Sequence, residues 1–256
     1  MAWPALFISH GSPMMAVDPG RTGPALSAWA AGHGAPPGGI LVVSPHWRGH
    51  GMALTTRARQ QAWHDFGGFP RELYELRYDA PGAPALADQV AELLAAQGLA
   101  VQADPGQPLD HGAWVPLRYL YPDADVPVAQ LSLDAGRDAH AQHALGRALA
   151  PLRERGVLVI GSGSLTHNLR DMDPRADAPP RDYVPGFQQW VAQRLEEGDV
   201  PGLLDWQQAP GALRAHPHDD HLMPFFVALG AGGLPARRLV DEVRYGALAM
   251  DSYQFG

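Results

Sequence analysis

The sequence predicts an α/β fold, a single domain in which a central, mainly parallel or mixed sheet is flanked by helices. Three observations carry that expectation. Short apolar runs bounded by turn residues recur along the chain and read as buried strands. Helical patterns fall between them, and strands alternating with helices argue for layers around a mainly parallel sheet. No repeat at a period of roughly 20–50 residues and no low-complexity linker divides the chain, so one domain is expected over residues 1–256.

The elements follow in order. ALFIS (5–9) and ILVVS (40–44) are apolar runs ended by Ser-His-Gly and Ser-Pro-His, and each reads as a buried strand. Residues 85–97 carry a helical pattern. VPVAQLSL (126–133) reads as a strand, with Pro127 either trimming its start or placing it at a sheet edge. An Ala-rich helix is expected over 139–155, followed by the strand VLVIG at 157–161. Helices are expected over 185–197 and 220–231, with Asp219 and Asp220 as cap and first-turn acid of the second. The chain returns to strand around 236–243 and 247–253. The 29 Gly and 25 Pro point to many turns.

Composition excludes several chemistries. With no Cys, the chain has no disulfide, thiolate nucleophile, thiolate zinc site or conventional iron–sulfur cluster. Every one of the 19 basic residues is Arg, so no Schiff-base lysine and no Walker A loop exists. A net charge of −8 with scattered Arg argues against nucleic acid. No apolar run reaches the roughly 18 residues of a membrane span. The N-terminal residues lack a basic n-region, so a cytoplasmic protein is expected. Oligomeric state leaves no signal.

Histidine is abundant, with 12 residues. His10 follows the first strand, His46 lies two residues past the second, and His167 lies beyond the 157–161 strand in GSGSLTHN. Ligands of open α/β sheets bind outside the carboxyl ends of the strands, so these three converge where a site is expected. Gly11 allows a sharp turn after His10. His216-Pro-His218-Asp-Asp-His221 is a further source of ligands, and His111 precedes a short apolar helix. The Gly-rich loop at 161–164 is neither G-x-G-x-x-G nor G-x-S-x-G. His33, His50, His64, His140 and His143 read as surface or structural. Several neutral imidazoles with nearby carboxylates suit Fe(II), Mn(II) or Zn(II), and ligand type alone does not separate an oxygenase from a zinc hydrolase. A non-enzymatic binding module would require the His clusters to be structural.

Six segments occur in order: SHGSP (9–13), VVSPHW (42–47), DHGAWVPL (110–117), GSGSLTHNLR (161–170), HPHDDHLMPFFVALGA (216–231) and YGALAMDSYQFG (245–256). Together they resemble the DODA-type extradiol ring-opening dioxygenases of the class III, LigB-like superfamily, over nearly the whole chain. The resemblance implies an α/β fold, one metal per chain, and cleavage of a catechol beside its hydroxyls with O₂ to give a muconic semialdehyde. A dihydroxyphenylalanine-like substrate is the first expectation. It further implies that His10, His46 and His221 hold the metal, with Fe(II) expected and Zn(II) as the alternative. His167 would be an acid/base over the metal or a fourth ligand, and His111 would bind and help deprotonate the catechol. The partners implied are a small aromatic diol and O₂.

Overall fold

Runs such as ALFIS and VLVIG are apolar at every position because both faces of their strands are covered, as parallel sheets require. In the computed structural model, which describes residues 2–256, alternate residues go to opposite sides. Phe7, Leu41, Val43 and Val159 join one buried cluster, and Leu6, Ile8, Ile40, Val42, Leu158 and Ile160 join the other. Each such side chain contributes about 1.5–3 kcal/mol by burial.

The strands are β1 (Ala5–Ser9), β2 (Gly39–Gly49), β3 (Met52–Thr55), β4 (Val101–Asp104), β5 (Val128–Asp134), β6 (Val157–Gly163), β7 (Ala236–Val240), β8 (Val243–Arg244), β9 (Leu248–Ala249) and β10 (Ser252–Phe255). The helices are α1 (Thr22–Gly32), α2 (Arg71–Glu75), α3 (Pro84–Ala95), α4 (His111–Leu120), α5 (Ala139–Leu149), α6 (Pro151–Glu154), α7 (Tyr183–Glu197), α8 (Val200–Leu204), α9 (Ala212–Ala215) and α10 (Met223–Gly232). Eight strands form one sheet in the order β4-β3-β5-β2-β6-β1-β10-β7. The central β5, β2, β6 and β1 are mutually parallel. β3 joins β5 antiparallel and β10 joins β1 antiparallel, so the sheet is mixed. Side chains of α1, α2 and α4 pack on one face, and those of α3, α5, α7 and α10 on the other. Among the described residues, no helix is long and apolar enough to cross a membrane.

Several boundaries differ from expectation for identifiable reasons. The 139–155 helix is divided into α5 and α6 at Ala150 because Pro151 has no N–H to continue the ladder and instead begins a new helix. β5 is internal and starts just after Pro127, so the proline trims the strand without marking an edge. The 220–231 helix starts at Met223, and neither Asp219 nor Asp220 caps it through its side chain. The C-terminal region forms four short strands where two were expected. β3, β4 and α1 were not anticipated. β4 is a short outer strand with half-buried and exposed positions, which leaves little apolar pattern to read.

Candidate metal centre

Three parallel strands end side by side, and their carboxyl ends supply the site. The backbone N–H of His10 donates to the Gly163 carbonyl at 2.9 Å, tying the end of β1 to the end of β6. Gly11 then turns the chain with φ at +61°. His46 sits in β2 where its register with β5 slips after Ser44, beside Pro45. His221 lies two residues before the start of α10, and its carbonyl accepts from Ser164 N at 2.9 Å. Gly163 permits that approach, because a Cβ there would lie 2.1 Å from the His221 oxygen. His111 opens α4, whose N-cap Asp110 accepts from Ala113 N. Gly112 has a similar task, since its Cβ would fall 2.4 Å from Ser44 Oγ and 3.0 Å from His10 Cε1.

The result is a convergence of imidazole nitrogens. Nε2 of His46 lies 3.0 Å from Nε2 of His10 and 3.3 Å from Nε2 of His221. One donor atom from each of the three falls within 4.8 Å of the others. The other nitrogens of His10 and His221 are engaged away from this point. Ser162 Oγ donates to the Gly112 carbonyl at 2.5 Å, so it accepts from His10 Nδ1–H at 3.0 Å. His221 Nδ1–H donates to Asp220 at 3.2 Å. Fixing the proton on Nδ1 leaves a lone pair on Nε2. Nitrogens bound to one first-row metal ion at about 2.1 Å would sit roughly 3.0–3.4 Å apart, so this donor set fits such an ion.

Electrostatics favour the same state. Burial, then the neighbouring imidazoles, hold His10 and His221 well below the ordinary histidine range. Burial and His111 push His46 down to about 3, against the pull of Asp65. A metal ion would therefore meet neutral ligands with no protons to displace.

His167 belongs to no group whose donor atoms share one point. Its ring instead stacks on His221, with centroids 3.5 Å apart and planes 7° from parallel. Burial lowers it to about 4. His111 lies on the other side, 3.9 Å from His46 between ring centroids. His216 turns away from the site. Its Nε2–H donates to the Leu165 carbonyl at 2.9 Å, and its ring packs between Phe187 and Trp206. His218 lines a neighbouring cavity. Of the histidines read as surface or structural, His33 and His64 bond backbone carbonyls and His140 lies beside Asp205.

Asp65 was missed from the sequence. Its carboxylate accepts from His111 N at 2.9 Å and from His111 Nδ1 at 3.0 Å, and it stands 3.7 Å from His46 Nδ1. Burial raises its pKa, but the bonds and charge of His111 prevail and the net shift is downward. The available signal was an acid set among aromatics and glycines in WHDFGGF, residues 63–69. Behind the site, Asp110 is fully buried and is pushed up to about 6 by that burial. It accepts from Ser44 Oγ at 2.8 Å and from the Gln130 amide. Beside the histidines opens a cavity of about 420 Å³, walled by Met14, Phe66, Phe69, Leu169, Met172 and Tyr245 together with His46, His111, His167 and His221.

An α/β sheet that gathers imidazoles at its carboxyl edge, next to an apolar pocket sized for a small aromatic molecule, defines a class of enzyme that handles such molecules. Residues 4–255 match the catalytic LigB subunit of aromatic ring-opening dioxygenase, and the chain belongs to this family of extradiol ring-cleavage enzymes. It is 39% identical over 257 residues to 4,5-DOPA dioxygenase extradiol of Beta vulgaris, covering 97% of this chain and 95% of that protein. The protein of the same name from Escherichia coli K12 is 36% identical, with 99% of this chain and 94% of that one covered. A crystal structure of an uncharacterized protein from Escherichia coli K12 superposes with a TM-score of 0.84 at 31% identity, covering 99% of this chain and 100% of that one. The hydrolase and binding-module readings gain nothing from these relationships.

Proposed function

We propose that this enzyme cleaves a catechol ring beside its two hydroxyls, using O₂ and a metal held by His10, His46 and His221. One ring C–C bond breaks, and both oxygen atoms of O₂ enter the product, a muconic semialdehyde. The observation that carries the reading is the convergence of the three Nε2 atoms at 3.0 and 3.3 Å, with the Nδ1 atoms of His10 and His221 committed to Ser162 and Asp220. When bound, Fe(II) supplies a Lewis acid toward the diol and a redox route for O₂, which Zn(II) lacks.

The remaining chemistry falls to the protein. Asp65 fixes the His111 proton on Nδ1, so the lone pair on Nε2 is available to take a phenolic proton. The imidazolium so formed stays beside the Asp65 carboxylate, which stabilises it. His167, held neutral by burial, has a lone pair with which to take the second phenolic proton, and the imidazolium so formed returns that proton as the ring opens. Its stacking on His221 favours this acid/base role over that of a fourth ligand. Met14, Phe66, Phe69 and Met172 exclude water and offer faces to the aromatic ring. A dihydroxyphenylalanine-like catechol is the favoured substrate, supported by the names of the relatives above.

Oxygen uptake tests the proposal. Protein stripped of metal is reloaded anaerobically with Fe(II) or Zn(II) and given a panel of catechols. Oxygen consumption and a yellow semialdehyde product are expected from the Fe(II) form alone. No uptake by the Fe(II) form with any catechol would overturn the reading.

A further inference from the structure

The cavity beside the metal site offers no cation to a charged substrate. Apart from histidines, its walls are apolar or aromatic, with hydroxyls from Ser12 and Tyr245. A second cavity of about 300 Å³ adjoins it. The two share His167, Leu169 and His221 as walls. A substituent on a ring seated against these histidines therefore has the smaller cavity as its neighbouring space.

That smaller cavity is lined by Arg170. Among the described residues, the Arg170 guanidinium makes no ion pair and no hydrogen bond, and only its backbone N–H is engaged, with Asn168 Oδ1 at 3.1 Å. Nearby arginines are already committed. Arg214 pairs with Asp171 at 3.0 Å and Asp182 at 2.8 Å, and Arg48 lies 3.7 Å from Asp219. The other charged group lining the small cavity, Asp220, is hydrogen-bonded to His221 through both the backbone N–H and Nδ1. Arg170 is the uncommitted charge, and a guanidinium matches a carboxylate with two parallel donors.

We propose that Arg170 determines specificity by binding a carboxylate on the side chain of the catechol. This assignment rests on the dioxygenase reading for the identity of the ring, and it adds the group that distinguishes one catechol from another. It follows that an acidic protein selects an anionic substrate through one local cation, with the apolar cavity taking the ring.

Calorimetric binding under nitrogen tests it, comparing 3,4-dihydroxyphenylacetate with uncharged 4-methylcatechol on wild type, Arg170→Gln and Arg170→Lys. Wild type is expected to prefer the acid by about tenfold, the low end for a hydrogen-bonded charge because the guanidinium is exposed. Arg170→Gln is expected to lose that preference while binding 4-methylcatechol unchanged, and Arg170→Lys to keep part of it. Unchanged melting temperatures are expected, since no intramolecular bond is removed. No preference in wild type, or a preference retained in Arg170→Gln, would overturn the assignment. Oxygen uptake is recorded separately. Wild type that prefers the acid but consumes no O₂ would count against the dioxygenase reading and for the Arg170 assignment.

Discussion

Asp65 accepts two hydrogen bonds from His111, one from its backbone N–H at 2.9 Å and one from Nδ1 at 3.0 Å. The first satisfies the backbone N–H of the first residue of α4. The second fixes which nitrogen of the ring holds the proton. Because the same Oδ2 lies 3.7 Å from His46 Nδ1, one carboxylate orders a residue proposed to move protons and a residue proposed to hold the metal.

Asp65→Asn is accordingly expected to lower kcat by about 10- to 100-fold, the usual cost of losing an orienting partner around a metal site. An amide that turns its NH₂ toward Nδ1 would force the His111 proton onto Nε2. Nitrogen-15 NMR of the imidazole reports that tautomer directly. Wild-type kcat together with an unchanged tautomer would remove Asp65 from the machinery.

His167 and His221 are stacked, yet different losses are expected on replacing them. His221→Ala should abolish stoichiometric metal binding. His167→Ala should retain metal, with kcat reduced by about 10²- to 10⁴-fold, as for a lost general acid or base. Elemental analysis of the purified variants separates the two. Loss of metal from His167→Ala would make His167 a ligand.

Gly163→Ala would drive a methyl group to 2.1 Å from the His221 carbonyl oxygen. Overpacking of this kind costs about 1–3 kcal/mol. Because the displaced residue is His221, weaker metal binding should accompany the lower melting temperature. A variant with the stability and metal content of wild type would show that the start of α10 can move aside.

The metal-free protein should lose stability as pH falls from about 6.5 to about 4. Burial places His46 near 3, His167 near 4 and His216 near 4 in the folded state, below the ordinary 6.5, so the unfolded chain takes up protons that the folded one refuses. Each such group costs on the order of 3–5 kcal/mol once the pH is below its folded value. Asp110 and Asp251 oppose this between about 6 and 4, because burial raises both to about 6 and they bind protons first in the folded state. The histidines, with His10 and His221 also lowered, outnumber them. Melting temperatures across this range check the sign, and a flat profile would contradict it.

Much of this architecture is local and therefore visible in the chain. ALFIS and VLVIG announce buried strands because every position is apolar, and they form β1 and the start of β6. His10, His46 and His167 lie just beyond or late in such runs, so their presence at the carboxyl edge follows from strand direction alone. The regions missed are those where local pattern is weak. Only one residue of α2, Leu73, is fully buried, and β4 has no fully buried position.

Local pattern along the chain is enough for the α/β class, the order of the central strands along the chain, and the strand ends at which imidazoles gather. Which of these side chains meet depends on the packing of distant segments. His10 and Ser162 are 152 positions apart, and Asp65 and His111 are 46 apart, so no local period relates them. His216 and His221 share one loop, yet one bonds the Leu165 carbonyl and the other faces His46. The physical reason is that β6 lies between β2 and β1 and carries glycine at 163. Strand order brings the ends together, and the absent side chain lets the His221 backbone settle close enough for its ring to reach the other two.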